Sequence, residues 1–362
     1  MTTGERNTRR RSRAEALLLT IILSMVVTGF AGPTKAFAQV SPVQKSSPAQ
    51  EPQDVDEGEV ISFRTTEVLL PVTVRDRVGK LVTTLSRDDF RVFEDGREQP
   101  LSDLALRQAP VDVVLMVDAS SSVSRNLDDF RRAAMGFAEK LSPQDRISLI
   151  EFDDRIDLLQ DWTRSRFQLR RSLERITPGM FTRFHDALLL AAKEQLKAGP
   201  VRHAVIVLSD GIDSQRGYAT LAMALSALLE AQATVYVVSN TEIERQSKQA
   251  ELNNLLAGTR AAQSFNSLRI DDLREGLRVI DDSESKLAQL AAATGGRLYK
   301  PRSFDALDST YAEVADELRH QYTLYYTPLD KSRDGRFRRV RVETADKSFT
   351  VSNRLGYFAP EK

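Results

Sequence analysis

Three short stretches of this chain gather oxygen-bearing side chains where a strand gives way to a loop. The first, residues 111–122 (VDVVLMVDASSS), runs apolar until it stops at Asp118, Ser120 and Ser122. The second holds Thr182 within GMFTRFHDAL, residues 179–188, just before a helix-like pattern. The third is VIVLSDGID, where Asp210 and Gly211 follow another apolar run. Carboxylates and hydroxyls are ligands for a hard cation. Magnesium demands near-octahedral oxygen coordination and retains waters, so a site rich in hydroxyls leaves its charge under-neutralised and open to one more anion.

Each stretch alone has an ordinary explanation. Residues 118–122 would serve as a helix N-cap, and Asp-Gly is a common turn. Taken together at the ends of several strands, they point to a ligand. Thr177 is the fallback for Thr182. Other chemistries find less support: no Ser/His/Asp set sits in nucleophile-elbow context, no glycine-rich phosphate loop appears, and no zinc-ligand spacing is present. His185, His203 and His320 are scattered, with His185 and Asp186 expected at a surface helix start. Cysteine is absent, which removes disulfides, thiolate metal sites and a thiol nucleophile.

The elements that position these residues follow from periodicity. Six of the seven residues 111–117 are apolar, with Asp112 between them, as in a strand buried on both faces of a parallel sheet. From 109 to 320 strand-like and helix-like stretches alternate, which implies a Rossmann-like, doubly wound, mostly parallel sheet with helices on both faces. In such sheets ligands bind beyond the carboxyl ends of the strands. Within this region 241–282 reads as a helical insertion of two helices, ahead of a separate helix at 284–293.

The flanks read as β-structure. Residues 59–108 hold the alternating run at Val68, Leu70, Val72 and Val74, and a strand ending in Glu94-Asp95-Gly96, a strong hairpin signal. Residues 321–362 hold QYTLYYT, FRRVRVET and a third short strand. Neither flank has enough strands to close a sandwich, so the two are expected to join into one small β-sandwich from which the α/β region is inserted. The basic run 331–341 alternates charge with Phe337 and Val340, as a half-buried hairpin does, and Trp162 is read as core.

The chain has 362 residues with equal numbers of basic and acidic side chains, 51 of each, and 41% hydrophobic composition, ordinary for a globular protein with a sizeable core. Five arginines at positions 6, 9, 10, 11 and 13 precede the apolar stretch 16–32, and Ala36-Phe37-Ala38 has the small-x-small form of a processing site. Residues 1–38 therefore read as a signal peptide and 39–58, rich in Ser, Pro and Gln, as a disordered linker. The remainder is mildly acidic, and no basic face suggests nucleic acid. The expected location is periplasmic or secreted, with membrane anchoring only if the signal segment is retained.

The motifs Asp118-x-Ser120-x-Ser122, Thr182 and Asp210 resemble the metal-ion-dependent adhesion site of von Willebrand factor A-type domains, over roughly residues 109–320. The flanks resemble those of exported bacterial proteins built around such a domain, with an EDG hairpin before it and Gln321-Tyr322 and Gly356-Tyr357 after it. The resemblance implies direct metal contacts from Ser120, Ser122 and Thr182, with Asp118 and Asp210 acting through water. The implied cation is Mg2+, with Mn2+ or Ca2+ as alternatives, and the implied partner is a protein presenting Asp or Glu. The functional expectation is an exported adhesion or assembly module. Two further readings stand beside it: a metal-independent scaffold binding through the insertion, and a hydrolase using the cation to activate water.

Overall fold

The computed structural model describes residues 67–106, 110–120, 126–196 and 201–361. The expected signal peptide, the linker and Ser122 lie outside the described residues.

The described residues open with β1 (Val68–Arg75), β2 (Phe90–Glu94), β3 (Arg97–Gln99) and β4 (Leu101–Leu106). Along β1 the residues Val68, Leu70, Val72 and Val74 all point inward and are buried, as the two-residue period of a strand requires. Between β2 and β3 Asp95 and Gly96 both take positive φ, the backbone that a tight two-residue hairpin needs.

The α/β region follows as β5 (Val111–Asp118), α1 (Leu127–Lys140), β6 (Arg146–Phe152), β7 (Ile156–Thr163), α2 (Arg166–Leu173), α3 (Phe184–Leu190), β8 (Arg202–Leu208), α4 (Leu221–Glu230) and β9 (Ala233–Val238). It continues through α5 (Thr241–Leu256), α6 (Arg260–Phe265), α7 (Ser267–Ala293), β10 (Leu298–Tyr299) and α8 (Leu307–His320). Six strands form one sheet in the order β10-β9-β8-β5-β6-β7. All its pairings are parallel except that of the edge strand β7. Every residue of β5 is buried. Its residues 111, 113, 115 and 117 pack under α1, α2 and α8, while Val114 and Met116 pack against α3, α4 and Leu287 of α7. The central strand thus supplies both hydrophobic layers, which explains its unbroken apolar run.

Sequence periodicity separates a helix at 284–293 from the preceding one, but the structure runs both as the 27-residue α7. No Gly or Pro interrupts the junction, and Lys286 pairs with Asp282 one turn earlier at 2.6 Å, a spacing that supports helix continuity. Leu252 of α5 and Ile270 and Leu273 of α7 form a small cluster of their own.

The chain closes with β11 (Tyr322–Tyr326), β12 (Phe337–Thr344), β13 (Thr350–Asn353) and β14 (Gly356–Phe358). These strands complete two antiparallel sheets, β13-β1-β11-β4 and β14-β12-β2-β3. Each sheet mixes strands from both flanks, so neither flank holds a sheet of its own. Leu70, Val72, Tyr322 and Leu324 from one sheet and Phe90, Val92, Val340 and Val342 from the other share one core. In β12 the buried Arg338 pairs with Asp330 and Asp334, so part of the basic run is neutralised within its own hairpin. Trp162 is only partly buried and packs at the margin of the core.

Candidate functional site at the sheet edge

From β5 the chain crosses to β6 on one side and later returns to β8 on the other. The connections therefore diverge above β5 and β8 and leave a crevice at their carboxyl ends. Asp118 is the last residue of β5, and Asp210 lies two residues beyond β8.

Asp118 is fully buried. Its Oδ1 accepts the Ser120 backbone N–H at 2.9 Å and its Oδ2 accepts the Ser209 hydroxyl at 2.6 Å. Ser209 Oγ in turn accepts the Gly211 N–H at 2.9 Å, and Asp210 Oδ1 accepts the Ile212 N–H at 2.9 Å. Burial pushes the Asp118 carboxyl up to about 7, the Asp210 carboxylate adds to the rise, and hydrogen bonds from Ser120 and Ser209 oppose it. None of these groups is basic. Burial likewise raises Glu244 at the start of α5, with Asp210 again contributing, so three carboxylates share this edge. Gly211 takes φ +71, and a Cβ there would lie 2.6 Å from the Leu287 side chain. Glycine is needed at that turn on both counts.

Thr182 is buried and joins the edge through its backbone. Its N–H donates to Ser214 Oγ at 2.9 Å, and its carbonyl accepts the Ser214 N–H at 2.9 Å. The same loop is fastened to the β5 turn where Gly179 N–H meets the Ala119 carbonyl at 2.8 Å. Thr177 lies apart: it is exposed, and its N–H donates to Glu151. Ser120 and Asp210 thus each act on Asp118, and Thr182 joins this edge through the 210–214 loop.

His185 and Asp186 differ from the expected surface helix start. The His185 N–H donates to Asp213 at 3.0 Å, and the buried Asp186 accepts from Tyr218 and Ala219 N–H groups and pairs with Arg183. Both residues tie α3 to the 210–219 loop. Burial lowers the His185 pKa. Phe184 is buried against Phe152, whereas Phe181 lies under Arg216, with the guanidinium 3.5 Å from the ring centre. Met180 and Tyr218 beside them are exposed.

Among the described residues no group of three or more His, Asp or Glu is arranged to hold a metal ion. Ligation at this edge would rest on hydroxyls beside Asp118 and Asp210, an all-oxygen donor set suited to a hard divalent cation. Three contributors were not apparent from sequence: Ser209, Ser214 and Glu244. Ser209 alone carried a signal, as a hydroxyl residue at a strand end immediately before Asp210.

The fold is thus a doubly wound α/β sheet with an acidic, hydroxyl-lined edge, joined to a two-sheet β-sandwich. Residues 113–212 match the family model described as von Willebrand factor type A domain. No curated protein matches the chain. Similar solved structures include the vWF domain of the type V pili tip protein Mfa5 from Porphyromonas gingivalis, 27% identical over 29% of this chain and 39% of that one, with a TM-score of 0.28. A von Willebrand factor type A protein from Catenulispora acidiphila is 11% identical over 76% of this chain and 74% of that one, with a TM-score of 0.44. Proximal thread matrix protein 1 from the mussel byssus, with a zinc-occupied MIDAS motif, is 16% identical over 62% and 49%, TM-score 0.44. The chain spans well under two thirds of the Mfa5 and mussel structures it resembles. Among the described residues no helix is long and apolar enough to cross a membrane.

Proposed function

We propose that the chain is an exported protein-binding module of the adhesion or assembly kind, holding a divalent cation at the edge formed by Asp118, Ser120, Ser122, Thr182 and Asp210. The observation that carries this reading is Asp118: a fully buried carboxylate facing a second carboxylate, with hydroxyls and amides but no basic group acting on it among the described residues. A cation relieves that repulsion. Ser120, Ser122 and Thr182 would contact it directly, and Asp118 and Asp210 would act through water, with Mg2+ as the ion and Mn2+ or Ca2+ as substitutes. Such a cation keeps an open position for the Asp or Glu carboxylate of a partner protein. Arg216, stacked on Phe181 with Met180 and Tyr218 exposed alongside, supplies a positively charged, apolar rim that favours an acidic ligand.

Equilibrium dialysis of the full chain against Mn2+ tests this. The expected result is one ion per chain, lost in Asp118→Ala and weakened at least tenfold in Thr182→Ala. No binding at millimolar Mn2+ would overturn the metal reading. A second reading then gains, because Phe265 and Leu268 around the α6–α7 corner are 90% and 85% exposed: a scaffold binding its partner through these helices, insensitive to chelator.

A further inference from the structure

Arg354 sits in the short connection between β13 and β14 and is fully enclosed, with 2% of its surface exposed. Its Nη2 donates to the Leu69 carbonyl at 2.8 Å and to Gln232 Oε1 at 3.1 Å. Nε and Nη1 meet no partner among the described residues. Among the described residues no carboxylate acts on the group either; burial lowers its pKa to about 10, with Tyr326 and Tyr357 opposing. A guanidinium stays charged at any physiological pH. A buried charge held this way is costly without a counter-charge.

The same guanidinium lines a small cavity together with Leu69, Arg202, His203, Ala231 and Gln232. Its volume, about 10 Å³, leaves room for one sphere the size of a water molecule. Arg202 is a second buried guanidinium in the wall, and its Nη1 donates to the Leu318 carbonyl. The carbonyl end of α4 also borders the cavity, and its Ala231 carbonyl is engaged by His203 at 2.8 Å. Arg202 has Asp145 acting on it and also reaches Gln321, so Arg354 is the guanidinium of the wall that lacks an acid among the described residues. The cavity lies where β8 begins, at the opposite end of that strand from Asp210.

We propose that this cavity binds one monatomic anion, chloride, held by the Nε–H and Nη1–H groups of Arg354, the wall giving by a few tenths of an ångström to take an ion slightly larger than water. Water would fit but brings no charge. Sulfate and phosphate exceed the volume. The ion would join β1, the base of β8, the end of α4 and the β13–β14 corner, tying the sandwich to the α/β sheet.

Thermal unfolding of the full chain in chloride, exchanged for gluconate at constant ionic strength, tests the proposal. A ligand bound only by the folded state multiplies the folded-to-unfolded ratio by one plus its concentration over its dissociation constant. Above that constant, each tenfold rise in chloride should raise the ratio tenfold, and Arg354→Met should abolish the dependence. Should that variant fail to fold, crystals of the wild type grown in bromide decide: a bromine anomalous peak beside Arg354 Nε and Nη1 is expected. Equal midpoints in chloride and gluconate, with no bromine peak, would overturn the proposal.

Discussion

Replacing Glu317 should loosen the joint between the last helix of the α/β sheet and the sandwich. Glu317 sits near the end of α8, one turn before β11, and is 2% exposed. Its carboxylate pairs with Arg75 of β1 and accepts the Tyr299 hydroxyl at 2.7 Å and the Thr73 hydroxyl at 3.2 Å. In Glu317→Leu the charge vanishes and three donors lose their acceptor. Removing one member of a buried ion pair costs about 3–5 kcal/mol, mostly through the charge left behind. Arg75 retains the Gly79 carbonyl at 2.7 Å, and 18% of its side chain reaches solvent, so the lower figure, about 3 kcal/mol, applies. That corresponds to a drop of roughly 5 °C in midpoint for a chain of this size. Arg75→Met alone should cost less, because the carboxylate keeps two hydroxyl donors, and the double variant should recover much of the loss. Urea unfolding of the wild type, both singles and the double supplies the cycle. A Glu317→Leu cost under about 1 kcal/mol, the range of exposed pairs, would refute the reasoning.

Three further outcomes follow from the sheet edge. In chelator, the Asp118 carboxyl titrates near 7 in the fold against about 3.9 when unfolded; the fold holds the extra proton, so stability should fall as pH rises from about 4 to 7 and then level, and Asp118→Asn should flatten that slope in urea unfolding. Gly211→Ala forces a Cβ onto Leu287 at positive φ and should destabilise by about 1–3 kcal/mol, read as a lower denaturant midpoint at unchanged m-value. Ser209→Ala removes a donor to Asp118 and should weaken Mn2+ binding about tenfold in dialysis, the usual effect of losing a group that orients a metal-site residue.

Local pattern carried the sheet because β5 is buried on both faces and states this in its composition. The Asp118 and Asp210 motifs were visible for the same reason: each ends an apolar stretch with side chains that packing alone does not require, whereas Thr182, in a loop before a helix, was placed by the resemblance. The flanking sandwich was legible as a shortage, since neither flank had strands enough to close. Long-range polar pairing was not legible. Arg75 and Glu317 stand 242 positions apart, and nothing in the amphipathic pattern of α8 distinguishes Glu317 from its solvated acids. Arg354 was silent as well, because its burial arises only when the β13–β14 corner closes over β1 and the end of α4. The division of α7 failed for a physical reason: without Gly or Pro at the junction the helix continues, and Ser283 turns inward to donate to the Asp210 carbonyl.

The central claim is that Asp118 belongs to a cation site. The most direct measurement is the thermal midpoint of the full chain in chelator and in millimolar Mg2+ or Mn2+, beside Asp118→Ala. A ligand that binds the folded state must raise the midpoint. The account predicts a metal-dependent rise in the wild type that the variant lacks; an equal response of both proteins, or none in either, would contradict it.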